Sequence, residues 1–418
     1  MKPNKIFIQI AAYRDPELIP TIKDCLSKAT FPENLVFSIA WQHSIHDAWD
    51  SLNEFSDDPR FKIIDIDCNE SKGACWARNR LQQQYDDEEY TLQLDSHHRF
   101  IEGWDTELMA MHQHLKSKGH EKPLITSYAS SYNPKNDPAE RTWAPYKMNF
   151  DRFIPEGAVF FLPAVIENHT ALSEPIPARF YSAHFAFTGG SFVKEVPHDP
   201  ELYFHGEEIS ITVRAYTWGY DLFHPHKPIL WHEYTRSNRI KHWDDDAEWW
   251  KKNSSSHLRN RKLFEMDGLS KDIDFGIYDF GPKRTLADYE RYAGILFTRR
   301  TAHKYTREHG VPPNPEADGD FEDASSALES TFNHRIDLQK DRFIETDYDF
   351  WAIIYEDELG ALLYRRDHRE TDIRGHLSTL GSIMQLRIEF STTKKPFKWI
   401  VWPHSKTKGW LEKMENTV

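Results

Sequence analysis

LQLDSHHRF, residues 92–100, is a run of apolar residues that ends in Asp95, Ser96, His97 and His98. An apolar run of this length reads as a buried strand, so its exit into a carboxylate and imidazoles marks a place where the chain leaves a hydrophobic layer. Side chains two apart on a strand share a face. If the extended backbone continues for two residues, Asp95 and His97 converge while His98 faces away.

The surrounding segments say what kind of sheet this strand joins. KIFIQIAAY (5–13), LVFSIAWQ (35–42), FKIIDID (61–67) and YTLQLD (90–95) read as strands. Between them lie helical stretches: DPELIPTIKDCLSKA, with Asp15 as cap and Pro16 at its first position, and GACWARNRLQQQY (73–85). WDTELMAMHQHLKS follows as a further helix. Strands alternating with helices predict an α/β domain with a mainly parallel central sheet and helices on both faces. Ligands of such sheets bind beyond the carboxyl ends of the strands, which is where Asp95 falls.

Past residue 120 the pattern loosens. PLITSYAS (123–130) reads as a strand, and residues 131–180, rich in Pro and aromatics, as a long irregular insertion. FAFTGGSFV (185–193) carries Gly189 and Gly190, read as a close backbone approach near a ligand. A helix is expected from Glu207 to Tyr216, stopped by Gly219, then a strand in ILWHEY; the polar tract RSNRIKHWDDDAEWWKKNSSS reads as mobile. The expected domains are 1–304, a Pro-, Gly- and acid-rich linker at 305–326, and a β-rich domain of unassigned role at 327–418.

Composition narrows the function. Of 418 residues, 39% are hydrophobic and 14% aromatic, which argues against a disordered chain. The formal net charge of −14 speaks against a generic nucleic-acid or anionic-membrane binder. No run is long and apolar enough to span a bilayer, and the N-terminus lacks the pattern of a signal peptide, so a cytoplasmic setting is expected. Cys25, Cys68 and Cys75 form no CxxC pair, which argues against a disulfide framework or a Cys-rich zinc site.

Taken alone, Asp95-Ser96-His97 admits three readings: a solvated strand end, a metallophosphoesterase site, or the acidic motif of a GT-A nucleotide-sugar transferase. The phosphoesterase reading needs a companion Gly-Asp and Asp; Gly319, Asp320 and Asp323 match only inside the acidic linker, and no Gly-Asn-His follows. In the transferase reading the motif holds a divalent cation against the donor diphosphate. One carboxylate with an imidazole suits Mn²⁺ better than Mg²⁺ or Ca²⁺.

The segments IFIQIAAYRDPEL (6–18), GACWARNRLQQQY (73–85), YTLQLDSHHRFIEGWD (90–105), FHGEEISITVRAYTWGYDLFHP (204–225) and WHEYTR (231–236) decide among these. In kind and order they resemble the polypeptide α-N-acetylglucosaminyltransferases of the Skp1-hydroxyproline type, and more distantly the mucin-type polypeptide GalNAc-transferases, over roughly residues 5–300. The resemblance implies a GT-A fold and Asp95, His97 and His232 as ligands of Mn²⁺ or another divalent cation. His198, His205, His224 and His226 compete with His232 for the third place. It implies a uridine site at Ala11, Tyr13, Arg14 and Asp15, with a structural salt bridge as the alternative for Arg14. Arg78 would touch donor ribose or phosphate, or else pair with a buried carboxylate. Glu207 and Glu208 would flank the transferred sugar, one touching sugar or acceptor. Arg236, with Arg239, Lys241, His242 and Trp243, would close over the diphosphate.

The expected activity is a metal-dependent, retaining transfer of GlcNAc from UDP-GlcNAc to a hydroxyl-bearing acceptor, chiefly Ser, Thr or hydroxyproline of a protein. Alternatives are another donor, UDP-GalNAc or UDP-Glc, acting on a glycan, a small molecule or a hydroxymethylated base, and a GT-A-like scaffold without catalysis.

Overall fold

The computed structural model describes residues 2–47, 51–235, 239–246, 248–315, 319–325, 330–358, 360–379, 381–392 and 394–418. Two compact units divide the chain, Met1–Ser325 and Ser326–Val418. The first begins with β1 (Lys2–Tyr13), α1 (Leu18–Lys28), β2 (Leu35–His43), β3 (Phe61–Asp67), α2 (Ala74–Gln82), β4 (Glu88–Leu94), β5 (His98–Phe100) and α3 (Trp104–Ser117). It continues with β6 (Lys122–Thr126), β7 (Ser130–Ser131), β8 (Tyr146–Phe153), β9 (Val159–Val165), β10 (Ile176–Pro177), β11 (Phe185–Gly189) and α4 (Phe192–Glu195). Then come α5 (Glu207–Thr217), β12 (Tyr220–His224), β13 (Leu230–His232), α6 (His242–Asp245) and α7 (Trp249–Leu263).

Eight strands form the central sheet in the order β10-β12-β6-β11-β4-β1-β2-β3. β3, β2, β1 and β4 pair in parallel, as do β6 and β12, while β11 runs antiparallel between β4 and β6. The α/β architecture read from the sequence is the observed one. Phe7, Ile8 and Ile10 of β1 are all fully buried, as expected of a central strand covered on both faces. α1 turns Leu18, Ile22 and Cys25 toward the core at helical spacing, and α3 does so with Trp104, Leu108, Met111 and Leu115.

Several local expectations are corrected. The insertion 131–180 is not wholly irregular: β8 and β9 form a hairpin whose Met148, Phe150, Phe153, Val159 and Phe161 join a second core with Phe180, Val213, Phe264 and Tyr289. A bulge between Phe150 and Arg152 breaks the alternation that would have revealed it. The tract read as mobile, residues 236–256, is helical over His242–Asp245 and from Trp249 to its end, where the helix runs on to Leu263, while residues 236–238 and 247 lie outside the described ones. Within the expected linker, Phe321–Asp323 pairs with Thr301–His303 inside the first unit.

Gly189 and Gly190 end β11, and the antiparallel course of that strand carries them to the start of β4, with Gly189 opposite Tyr90. The close approach is made by Gly190 alone and is to protein: a Cβ there would sit 2.0 Å from the Glu88 carbonyl oxygen and 2.5 Å from the Tyr85 hydroxyl, whereas one on Gly189 would meet nothing within 4 Å.

The second unit is β-rich, as the sequence pattern predicts. Ser330–Gln339 pairs antiparallel with Ile383–Thr392. Leu362–His368, Tyr348–Glu356 and Lys398–Ser405 form a second sheet, extended by Gly409–Trp410 and Met414–Thr417. The helix Glu370–Leu377 adds Ile373 to a core that includes Trp351, Tyr355, Leu386 and Val401.

The Gly190 contact makes a prediction. Gly190→Ala should destabilise the chain by about 1–3 kcal/mol, because the obstructing atom is backbone that cannot swing aside; urea unfolding followed by fluorescence measures it.

Candidate functional site

At the carboxyl ends of β1, β2 and β4 the first unit opens a cleft enclosing about 790 Å³, part of it open to solvent. Asp95, His97, Ala11, Tyr13 and Arg78 line it together with Tyr203, Lys241 and Trp243.

β4 stops at Leu94, and the chain turns through Asp95, Ser96 and His97 before β5 begins. β5 pairs antiparallel with β13, so that His98 stands opposite His232. The turn and this second pairing bring His232 Nε2 to 3.5 Å and His97 Nε2 to 3.9 Å from Asp95 Oδ2. Among the described residues these three form the one group of at least three His, Cys, Asp or Glu whose ligand atoms all lie within 4.8 Å of one another. The competing histidines are engaged elsewhere or outside this group: His198 Nε2 bonds Gln93 and His224 Nδ1 donates to the Thr126 carbonyl.

The donor chemistry of this group fits a cation. His97 Nε2 and both ring nitrogens of His232 are buried without a hydrogen-bond partner, a state that buried polar atoms avoid unless something else satisfies them. Burial holds the His232 ring well below its ordinary pKa and so keeps it neutral, as a ligand must be. Burial pushes Asp95 the other way, but His232, Arg78 and His97 outweigh it and hold the carboxyl well below the usual carboxylate range.

Asp15 has a role that the sequence reading missed. Its Oδ1 accepts from the Glu17 backbone N–H at 2.9 Å, the capping expected of it, although α1 itself begins at Leu18. Its Oδ2 lies 2.7 Å from His97 Nδ1 and 2.6 Å from the Ser96 hydroxyl. Arg239 Nη1 lies 2.6 Å from both Asp15 Oδ2 and His97 Nδ1, and Arg239 also pairs with Glu233. Burial opposes the charge on Asp15, yet His97 and Arg239 hold it below the carboxylate range.

Not every expected residue reaches the cleft. Arg14 makes a two-pronged salt bridge to Asp47, with 2.8 Å contacts, and a further bond to Asp245, the structural alternative raised by the sequence. Arg78 borders the cleft but spends its guanidinium on Asp95 Oδ1 at 2.9 Å and Glu207 Oε1 at 3.2 Å. Glu208 accepts from the Ala183 backbone at 2.9 Å. Neither Glu207 nor Glu208 lines the cleft. Burial raises both carboxyls above their ordinary range; Arg78 opposes this at Glu207, and the Glu207 charge adds to it at Glu208. Arg236 lies outside the described residues.

His98 does not line the cleft that Asp95 and His97 share. It is fully buried, with its ring centroid 5.0 Å from that of His232. Gln42, Ser71 and Tyr203 also line the cleft without having been singled out. Gln42 was within reach of sequence reasoning: it lies one residue before the end of β2 in register with Tyr13, at the strand ends where ligands gather. Tyr203 is placed by tertiary contacts, its hydroxyl 2.8 Å from His242 Nδ1, and carries no local signal.

A family model described as Glycosyltransferase (GlcNAc) matches residues 5–59 and 51–299. Among solved structures, GalNAc-T7 with UDP, GalNAc and Mn²⁺ aligns with 63% of this chain at 14% identity and a TM-score of 0.45; the chain spans 48% of that protein's length. S. aureus TarS aligns with 99% of this chain and 77% of its own, at 11% identity and a TM-score of 0.38. S. aureus TarS 1–349 in complex with UDP-GlcNAc aligns with 65% of this chain and 76% of its own, at 14% identity and a TM-score of 0.35. No curated protein sequence matches.

Two stability measurements probe the site. Arg78→Met leaves Asp95 and Glu207 without their shared cation and should cost about 3–5 kcal/mol in urea unfolding. The carboxyls of Glu207 and Glu208 lie above their ordinary value of 4.5 in the folded chain. Between that pH and neutrality the folded state therefore holds more protons than the unfolded state, and stability falls as pH rises through the window. Glu208→Gln should flatten this part of the curve, as read from urea midpoints between pH 5 and 8.

Proposed function

This chain belongs to the glycosyltransferase (GlcNAc) family, and on that premise we propose that it transfers GlcNAc from UDP-GlcNAc to a hydroxyl, with retention of anomeric configuration and Mn²⁺ as cofactor. The acceptor we propose is a Ser, Thr or hydroxyproline side chain of a cytoplasmic protein. Among the described residues no helix is long and apolar enough to cross a membrane.

The observation that carries this reading is the convergence of Asp95, His97 and His232 at the edge of a cleft beyond the strand ends. A cation held by these three would neutralise charge growing on the departing diphosphate.

The chain's own residues account for the rest. Asp95 stays ionised because the two imidazoles and Arg78 face it, and Asp15 orients the His97 ring through Nδ1. Ala11 and Tyr13 border the region we assign to uridine; the Tyr13 hydroxyl is taken by Asp245 at 2.7 Å, so the ring is what it offers a base. Lys241 borders the same cleft and offers positive charge for a diphosphate, while Arg239, also on the cleft, is paired with Asp15 and Glu233. Arg78 is a positioning residue here, since its guanidinium bonds both Asp95 and Glu207. Glu207 is bound by Arg78 and Glu208 accepts from the Ala183 backbone, and neither lines the cleft, so both act here as structural carboxyls behind it. A leaving phosphate oxygen takes the acceptor proton in this scheme, so positioning does most of the work and no side-chain base is needed.

UDP release from a panel of UDP-sugars, with Mn²⁺ or EDTA, tests the proposal. UDP-GlcNAc turnover should require the metal and fall at least about 100-fold in Asp95→Ala. Turnover of UDP-GalNAc or UDP-Glc instead would reassign the donor. No turnover of any UDP-sugar, with no binding of UDP, would leave a scaffold without catalysis.

A further inference from the structure

In the second unit, Phe350, His404 and Trp410 stand in register across the strands Tyr348–Glu356, Lys398–Ser405 and Gly409–Trp410. Cross-strand partners carry their side chains on one face of a sheet, and Trp402, two residues before His404, shares that face. Trp351 and Val401 take the opposite face and are fully buried in the core of the unit. The four rings thus occupy the side of the sheet that this core does not use.

The rings form one contiguous cluster. Phe350 and His404 stack, with centroids 5.0 Å apart and planes at 11°. Trp410 stands nearly at right angles to both, at 88° and 78°, and its centroid lies 4.4 Å from that of Trp402. The Trp402 indole N–H donates to the Leu411 carbonyl at 2.9 Å, which fixes that ring in place. Trp410 is 44% exposed while the other three are half-buried. On an indole that exposure is on the order of 100 Å² of surface.

Two charged side chains border the cluster. A bulge between Tyr348 and Phe350 sets Asp349 at its edge, where Oδ2 lies 3.4 Å from His404 Nδ1 and Oδ1 3.7 Å from Arg369 Nη1. The Arg369 guanidinium lies 5.2 Å from the Phe350 ring centroid. Both keep contact with water, Asp349 with 38% and Arg369 with 65% of the side chain exposed. Each therefore retains hydrogen-bonding positions for a ligand. Their opposite charges cancel, so the surface favours neither an anion nor a cation.

An exposed ring beside a balanced donor and acceptor complements a neutral ligand that is itself amphipathic. A pyranose has that character: its C–H bonds make an apolar face suited to the negative face of an indole, and its hydroxyls project around the edge. A protein partner needs about 800 Å² on each side, several times what Trp410 offers. We propose that this cluster is a binding site for a neutral carbohydrate, whose sugar ring lies on Trp410 and whose hydroxyls meet Asp349 and Arg369. The proposal does not depend on the cation site of the first unit.

The test uses the full chain labelled with ¹⁵N. Indole N–H resonances are followed as chitotetraose, cellotetraose and maltotetraose are added to millimolar concentration, with polygalacturonate and a polylysine peptide as charged controls. At least one neutral oligosaccharide should shift the Trp410 indole, and should do so equally in Asp95→Ala. Its affinity should fall at least about tenfold in Trp410→Ala and recover in Trp410→Phe, which restores a ring. UDP-sugar turnover should be unchanged in Trp410→Ala. No shift with any neutral oligosaccharide, or shifts with the charged controls alone, overturns the proposal. So does binding that Asp95→Ala abolishes and Trp410→Ala leaves intact, since it then belongs to the cleft. A Trp410 shift produced by raising the protein concentration alone, without sugar, assigns the surface to a second copy of the chain and overturns it too. Should Trp410→Ala not fold, the wild-type titration decides. A chain that turns over no UDP-sugar sinks the transferase reading, while the oligosaccharide titration, which needs no turnover, keeps the two failures apart.

Discussion

The site depends on a single guanidinium shared by two carboxylates. Arg78 leaves α2 and reaches Asp95 at the end of β4 and Glu207 at the start of α5, residues 17 and 129 positions away in sequence. All three are largely removed from water, where two carboxylates without a cation would repel and neutralise. The outcome is unequal. Asp95 has two imidazoles as well as Arg78 and stays charged, whereas at Glu207 burial outweighs Arg78 and a backbone hydrogen bond, and the carboxyl is inclined to keep a proton. One cation thereby yields one dependable ligand and one carboxyl whose charge answers to its surroundings.

Around that pair, the geometry follows from how the chain leaves the central sheet. Had β4 run on, Asp95 and His97 would still share a face, but nothing would carry His232 to them. Instead the chain turns at residues 95–97 and re-enters a small sheet as β5, whose partner β13 presents His232. The turn aims Asp95 and His97 into the cleft, and the pairing packs His98 and His232 behind them. Asp15 contributes from the end of β1, because in a parallel sheet neighbouring strands finish at the same edge.

Much of this was legible in local pattern. Strands and helices up to residue 117 show in apolar runs and helical spacing, because the first unit buries those runs on both faces. Asp95, His97 and His232 could be named from the motifs that carry the family resemblance. The hairpin of β8 and β9 was not legible, since a bulge interrupts its alternation. Nor was the helix Trp249–Leu263, whose few buried residues leave little apolar stripe to read. Gly190 misled because a glycine reports that something comes close without saying what.

What the sequence by itself determined is the alternation of buried strands and helices and the placing of a carboxylate and an imidazole at a strand's carboxyl end. These follow from hydrophobic period and chain order, which are properties of neighbours in sequence. Only the tertiary structure decided that Arg14 serves Asp47 and Asp245, that Arg78 is divided between Asp95 and Glu207, and that His98 packs against His232. Each of these turns on which partner a charged or polar group meets across tens or hundreds of residues. A buried polar group takes whichever partner the packing brings within hydrogen-bond reach, and no local spacing encodes that choice.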